Sequence, residues 1–209
     1  MARSLIERAV QTAGVTGLLE TLSPEEKHDL LYDWSSWARP EQLPPPEGWL
    51  TWLVQAGRGF GKTRVGAEWV RHRVENEGAR RIALVGRTPA DVRDTMVEGE
   101  SGLLACHPMG ARPLYEPSKR RLTWSNGAIA LTFTSYEPDQ LRGPNFDTIW
   151  WDELAAFKYL RETWDNGQLA LRLGLNPRQI ITTTPRPLSL LRTIALDPST
   201  HVTRGNTYE

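Results

Sequence analysis

The sequence predicts an α/β protein whose mainly parallel sheet is flanked by helices, with a helical segment leading into it. Three observations carry this expectation. A glycine-rich turn, AGRGFGKT (Ala56 to Thr63), joins an apolar run to a helical pattern. Further short apolar runs recur downstream, separated by helical and turn segments. One of them, FDTIWWDE, ends in two adjacent carboxylates, Asp152 and Glu153. Strands that alternate with helices around such a turn build an open parallel sheet covered on both faces.

The elements follow in order. Residues 1–48 read as a helical lead-in and residues 49–209 as the core domain. Ser23-Pro24-Glu25-Glu26 is a helix start: Ser23 caps, Pro24 fits the first turn and Glu26 completes a capping box. Leu30, Leu31, Trp34 and Trp37 recur at helical spacing and are expected to form a buried stripe. Pro44-Pro45-Pro46 makes a stiff connection. Trp49 to Ala56 then reads as a buried strand, and a helix from Lys62 to about Glu77 stops near Gly78. This helix brings Val65, Trp69, Val70 and Arg73 onto neighbouring faces.

Arg81 to Gly86 is the next strand, and Thr88-Pro89-Ala90-Asp91 starts another helix. RLTWSNGAIALTFTS is a hairpin turning at Asn126-Gly127. Asp147 to Trp151 and Arg178 to Thr184 complete the expected strands, the latter ended by Pro185. Trp124 is expected in the core.

Composition sets limits. Twenty-five basic and 25 acidic side chains give a formal net charge of 0, so any polyanion must be held by a local patch. Lys119, Arg120, Arg121, Arg80 and Arg81 are the candidate patches for DNA. One cysteine, Cys106, excludes an internal disulfide and a cysteine-rich metal site. No apolar run approaches the length of a membrane span, and MARSLIERAV does not read as a signal peptide, so a soluble protein without a membrane partner is expected.

The central motif is the turn. Its form, five residues and then Gly-Lys-Thr between a strand and a helix, is that of a P-loop. Gly57, Gly59 and Gly61 let consecutive amides face a phosphate, and the following helix adds its positive end. Lys62 is placed to reach the β- and γ-phosphates of ATP, and Thr63 to ligate Mg2+. Ala56 stands where the usual pattern has its first glycine.

Binding alone requires no more than this turn, whereas hydrolysis needs a magnesium-holding acid and a group that positions water. Asp152, at a strand end, is the candidate for the first role and Glu153 for the second. A solvated Asp-Glu pair capping the next helix is the alternative reading of those two acids.

In four places the chain resembles the ATPase domain of tailed-phage terminase large subunits, the RecA/ASCE-like motors that package double-stranded DNA. These are GRGFGKTR (Gly57 to Arg64), LRGPNFDTIWWDE (Leu141 to Glu153), TTTPRP (Thr182 to Pro187) and WARPEQLPPPEGWLTWL (Trp37 to Leu53).

The resemblance implies nucleotide contacts along Gly57, Arg58, Gly59, Phe60, Gly61, Lys62, Thr63 and Arg64. Arg58 corresponds to the family's P-loop arginine, and Arg142 to an arginine that reaches the nucleotide, in the family from a neighbouring subunit. Thr182, Thr183 and Thr184 match a motif that couples the γ-phosphate to movement, and Gln42 an adenine-contacting glutamine. The implied partners are double-stranded DNA, the portal protein, the terminase small subunit and further copies in a ring on the procapsid. The implied location is the host cytoplasm, transiently at the procapsid portal. Family members also carry a nuclease domain, which is not expected within these residues, so no DNA cleavage is expected of them. A helicase-like nucleic-acid ATPase and a nucleotide-dependent assembly module remain as alternatives.

Overall fold

A computed structural model describes residue 20 and residues 22–205. Its contacts divide the chain into two units, Met1–Leu43 and Pro44–Glu209, where the sequence reading divides it after residue 48.

In the first unit, α1 spans Pro24–Tyr32. Ser23 and Glu26 form the expected capping box: Glu26 N donates to Ser23 Oγ (3.1 Å) and Ser23 N to Glu26 Oε2 (2.8 Å). The expected apolar stripe is corrected. No residue of α1 is buried, and Leu31 and Trp37 are 61% and 52% exposed. The helical register breaks at Asp33, whose carboxylate accepts from Ser35 N, Ser35 Oγ and Ser36 Oγ and starts a separate turn at Trp34–Trp37. A carboxylate that bonds the next backbone amides favours a helix start over helix continuation, so the four apolar residues do not share one face.

The second unit is built on one eight-stranded sheet. Its strands are β1 Thr51–Ala56, β2 Arg81–Gly86, β3 Leu114–Glu116, β4 Arg121–Thr123, β5 Ile129–Thr134, β6 Thr148–Asp152, β7 Arg178–Thr183 and β8 Thr200–Gly205. They lie in the order β3-β4-β5-β2-β6-β7-β1-β8. From β5 to β8 every pairing is parallel, and β3-β4 and β4-β5 are antiparallel. The fold is therefore the expected mainly parallel α/β sheet. The β4-β5 hairpin turns where expected, with Gly127 at φ +84°, a backbone conformation that favours glycine.

Three longer helices cover the sheet: α2 Lys62–Glu75, α3 Leu160–Ala170 and α4 Ser189–Leu196. Two adjacent tryptophans on β6 fix how α2 and α3 sit, because successive strand residues point to opposite faces. On one face, Gly66 of α2 lies so close to Trp150 that a Cβ there would fall 2.2 Å from the indole. On the other, a Cβ at Gly167 of α3 would fall 2.1 Å from Trp151. Both indoles are fully buried, and each N–H is satisfied by β7: Trp150 Nε1 donates to Thr182 Oγ1 and Trp151 Nε1 to Gln179 Oε1, both at 2.9 Å. Burial of these rings is favourable, and their N–H partners remove its polar penalty.

The other expectations for α2 hold: Val65, Trp69, Val70 and Arg73 are buried. Arg73 docks the end of the helix by donating to Thr148 Oγ1, Asp147 O and Asn176 O. The helix closes at Glu75, and Gly78 follows at φ +73°. Asp147 lies just before β6, where its Oδ2 accepts from Arg80 N and Arg81 N at the start of β2. Trp124 is buried, and its Nε1 donates to His107 Nε2 at 3.0 Å. Among the described residues no helix is long and apolar enough to cross a membrane.

Candidate functional site

β1 ends at Ala56 between β7 and β8, and the chain turns through Gly57–Gly61 into α2. Gly59 and Gly61 have φ of +81° and +85°, a left-handed backbone that brings successive N–H groups to the inside of the turn. Phe60 points away from the turn and is buried against Gly205 of β8, where a Cβ would fall 2.1 Å from its ring. Gly57 N donates to Gly205 O at 3.4 Å. The turn is thus clamped to β8 at Gly57 and Phe60.

Lys62, the first residue of α2, is buried at 9% exposure. Its Nζ donates to Ala56 O (3.1 Å) and Gly57 O (3.0 Å) and lies 3.4 Å from Glu153 Oε1. This ion pair joins the phosphate turn to the end of β6, so the two halves of the expected site meet. Glu153 itself has φ +53°. Outside glycine such a backbone is uncommon and clusters at functional sites. It turns the Glu153 side chain toward Lys62 immediately after β6.

Two of the three threonines of the TTTPRP segment hold this acid pair, and the third holds the turn that follows it. Asp152 pairs in register with Thr182, and Thr182 Oγ1 donates to Asp152 Oδ1 at 2.7 Å. Thr183 Oγ1 accepts from Ala155 N at 3.1 Å. Thr184 donates twice to Glu153, from N to Oε2 and from Oγ1 to Oε1, both at 3.2 Å. Asp152 is buried, which pushes its carboxyl up to about 7; nearby Glu153 adds to the rise, and the Thr182 hydrogen bond and Lys62 oppose it. A cation beside the group would favour the ionised form.

Lys62 and Glu153 open onto a cleft of about 600 Å³, within the size range of small-molecule sites. Arg58, Gly59, Gly61, Lys62, Thr63, Arg64 and Glu153 line it. Arg64 is held by Glu68 one turn along α2, with Nη2 2.6 Å from Oε1. The opposite wall is a feature that the sequence reading missed: Asp94, Thr95, Gly99, Glu100 and Ser101. It is shaped by a π-helical turn, Val92–Val97, and by Gly99 and Gly102. A Cβ at either glycine would fall within 2.8 Å of backbone carbonyls of that turn. Pro89–Asp91 does start a helix as expected, but the π turn that follows has no simple spacing signal.

One expected site residue lies outside this grouping. Arg142 is 67% exposed; it is 3.1 Å from Asp139 Oδ1 and donates to Asn166 Oδ1 at 3.1 Å. It lines a separate groove with Leu141, Pro144 and Asn166. Gln42 belongs to the first unit, where its Oε1 accepts from Arg39 N at 2.9 Å.

The donor set suits magnesium held together with a triphosphate. Among the described residues no group of three or more His, Cys, Asp or Glu is placed to hold a metal by itself. Magnesium commonly takes one or two carboxylates, with phosphates and water filling the remaining positions. A hydroxyl at Thr63 and a carboxylate at Asp152, beside a phosphate turn, match that pattern.

A family model described as "Terminase large subunit, T4likevirus-type, N-terminal" matches residues 53–197, more than half of the chain. The chain belongs to this family. Among solved terminases, the large terminase ATPase domain of Thermus phage P74-26 has a similar fold, with a TM-score of 0.63 at 14% identity. That match covers 87% of this chain and 84% of the other. The large terminase of another thermophilic bacteriophage, solved in complex with ADP, gives a TM-score of 0.58 at 15% identity. There the match covers 87% of this chain but 44% of the other, so this chain spans less than half the length of that terminase. No curated protein matches the sequence.

Proposed function

We propose that this terminase domain binds Mg-ATP at the Gly57–Thr63 turn and hydrolyses it, and that turnover drives double-stranded viral DNA into a procapsid. The observation that carries the chemistry is the 3.4 Å approach of Lys62 to Glu153. It sets a phosphate-binding cation and a carboxylate on one cleft, with Glu153 held by Thr184.

Each residue then has a role. The amides of the turn and Lys62 hold the β- and γ-phosphates. Thr63 and Asp152 would hold Mg2+, which supplies charge neutralisation on the phosphate oxygens when bound. Glu153 accepts a hydrogen bond from the attacking water and directs it in line with the γ-phosphate. Arg58, on the cleft wall, neutralises charge on the transferred group. Thr182 and Thr184, each bonded to one of the acids, transmit a change at the phosphate into β7. Gln42 is proposed to contact adenine. Arg142, exposed and outside the cleft lining, is proposed to complete a neighbouring subunit's site.

Family membership is what supports the wider setting of this proposal. The partners would be the portal protein, the small subunit and further copies in a ring, at the procapsid portal in the host cytoplasm. The test is ATP turnover by the chain with magnesium, with and without duplex DNA and portal protein. Turnover that DNA and portal stimulate is expected. No turnover in any combination would remove the motor reading.

A further inference from the structure

A second cleft, of about 380 Å³, lies beside the end of β7 and is lined by Gln55, Pro185, Arg186, Pro187, Leu191, Arg192, Ala195 and Arg204. Three of these residues are exposed arginines, contributed by the segment after β7, by α4 and by β8. Among the described residues, no ion pair or side-chain hydrogen bond is formed by Arg186, Arg192 or Arg204, and no acid lines the cleft. Elsewhere on the molecule most arginines face a carboxylate, as Arg64, Arg87, Arg93 and Arg161 do. The basic run at the hairpin is also neutralised: Lys119 and Arg121 meet Glu116 at 2.6 and 2.7 Å, and Arg120 meets Glu137 at 3.1 Å.

We propose that Arg186, Arg192 and Arg204 form a grip for backbone phosphates of duplex DNA. The inference rests on the motor reading above and adds a contact surface to it. Three guanidiniums without an acid partner among the described residues, set around one concavity, create a local positive field in a chain of zero net charge, and guanidinium suits phosphate oxygens geometrically. The cleft has no aromatic side chain on which a base could stack, so it favours sequence-independent backbone contact over base reading.

Its place in the chain gives the grip a consequence. Thr184 donates to Glu153, and Arg186 follows after one residue, between Pro185 and Pro187. Prolines fix φ, so displacement of Thr184 when Glu153 changes partners is transmitted to Arg186 through a stiff link.

The test uses the 209-residue chain and a fluorescent duplex of mixed sequence, with affinity measured across ~50 to ~200 mM salt. Combining Arg186→Gln, Arg192→Gln and Arg204→Gln is expected to weaken binding at least tenfold and to flatten log K against log salt by about 1 per arginine. The matching triple lysine variant keeps the charge and should restore most of the slope. A glutamine variant that binds with unchanged affinity and slope overturns the proposal, as does a lysine variant as defective as the glutamine one. Unchanged duplex binding with loss of poly-glutamate binding also overturns it, in favour of an acidic protein partner. ATP turnover by the unmodified chain is the separate readout for the motor reading: its absence, with salt-dependent duplex binding lost in the glutamine variant, would remove the motor and leave the phosphate grip.

Discussion

Thr184 holds Glu153 by both of its carboxylate oxygens, through its own backbone N–H and its hydroxyl. The acid that faces Lys62 is therefore fixed in position by the segment that leads out of β7. Removing the hydroxyl alone separates positioning from binding. Thr184→Val loses one hydrogen bond to a charged group while keeping the backbone one. ATP turnover is expected to fall about tenfold, the rate equivalent of roughly 1.4 kcal/mol, with nucleotide affinity unchanged. Thr184→Ser is expected to recover most of the rate. The measurement is turnover beside equilibrium binding of a fluorescent ATP analogue.

The packing of Gly66 on Trp150 supports the same site from below. Gly66→Ala drives a methyl into a fully buried indole, and overpacking of this kind costs about 1–3 kcal/mol. Because Trp150 Nε1 donates to the hydroxyl that bonds Asp152, the displacement should also weaken magnesium-dependent nucleotide binding. Gly110→Ala, which meets no atom within 4 Å, should leave both unchanged. Urea midpoints and magnesium titrations measure the two effects.

His107 predicts an acid-side loss of stability. It is fully buried, and Trp124 Nε1, which can only donate, points at its Nε2. The ring is therefore neutral and carries its proton on Nδ1, which donates to Leu103 O at 2.7 Å. Burial lowers its proton affinity; the bond to Leu103 and the Glu75 carboxylate, 3.6 Å from Nε2, oppose this, and Arg71 and Arg112 add to the lowering. Below the ordinary imidazole value of about 6.5 the unfolded chain binds the proton that the folded chain excludes. The stabilisation is thus full above that value and is lost as pH falls from it toward the lowered folded value. Denaturation across that window should show a steeper loss in the unmodified protein than in His107→Gln.

Arg142 lies away from the phosphate cleft, bonded to Asp139 and Asn166. If it serves a neighbouring site, inactive Arg142→Ala and inactive Glu153→Gln proteins should recover turnover when mixed in assemblies shown to contain both. Mixed assemblies without recovery would place its action elsewhere.

The legible parts of the sequence were those where chemistry demands residue types at fixed spacing. Gly59 and Gly61 do take the left-handed backbone that the motif predicts, and Lys62 does begin the helix that follows. Asp152 and Glu153 follow because an apolar strand delivers them to one edge. β8 was less visible: its THVTRG pattern is only partly buried, and its place beside β1 is settled by tertiary pairing and by Phe60 packing on Gly205. The wall at Asp94–Ser101 depends on a π turn packed against glycines far too closely for a side chain. The left-handed backbone of Glu153 likewise carries no residue-type signal. The stripe expected over Leu30 to Trp37 fails because Asp33 restarts the helix, a local capping preference that outweighs apolar spacing.

The most direct measurement is ATP turnover by Glu153→Gln beside its nucleotide affinity. The amide keeps the shape of the side chain but cannot take a proton from water, so binding should persist while turnover falls by about 10²–10⁴. Turnover at the unmodified rate would contradict the assignment of Glu153 and the meaning given to its approach to Lys62.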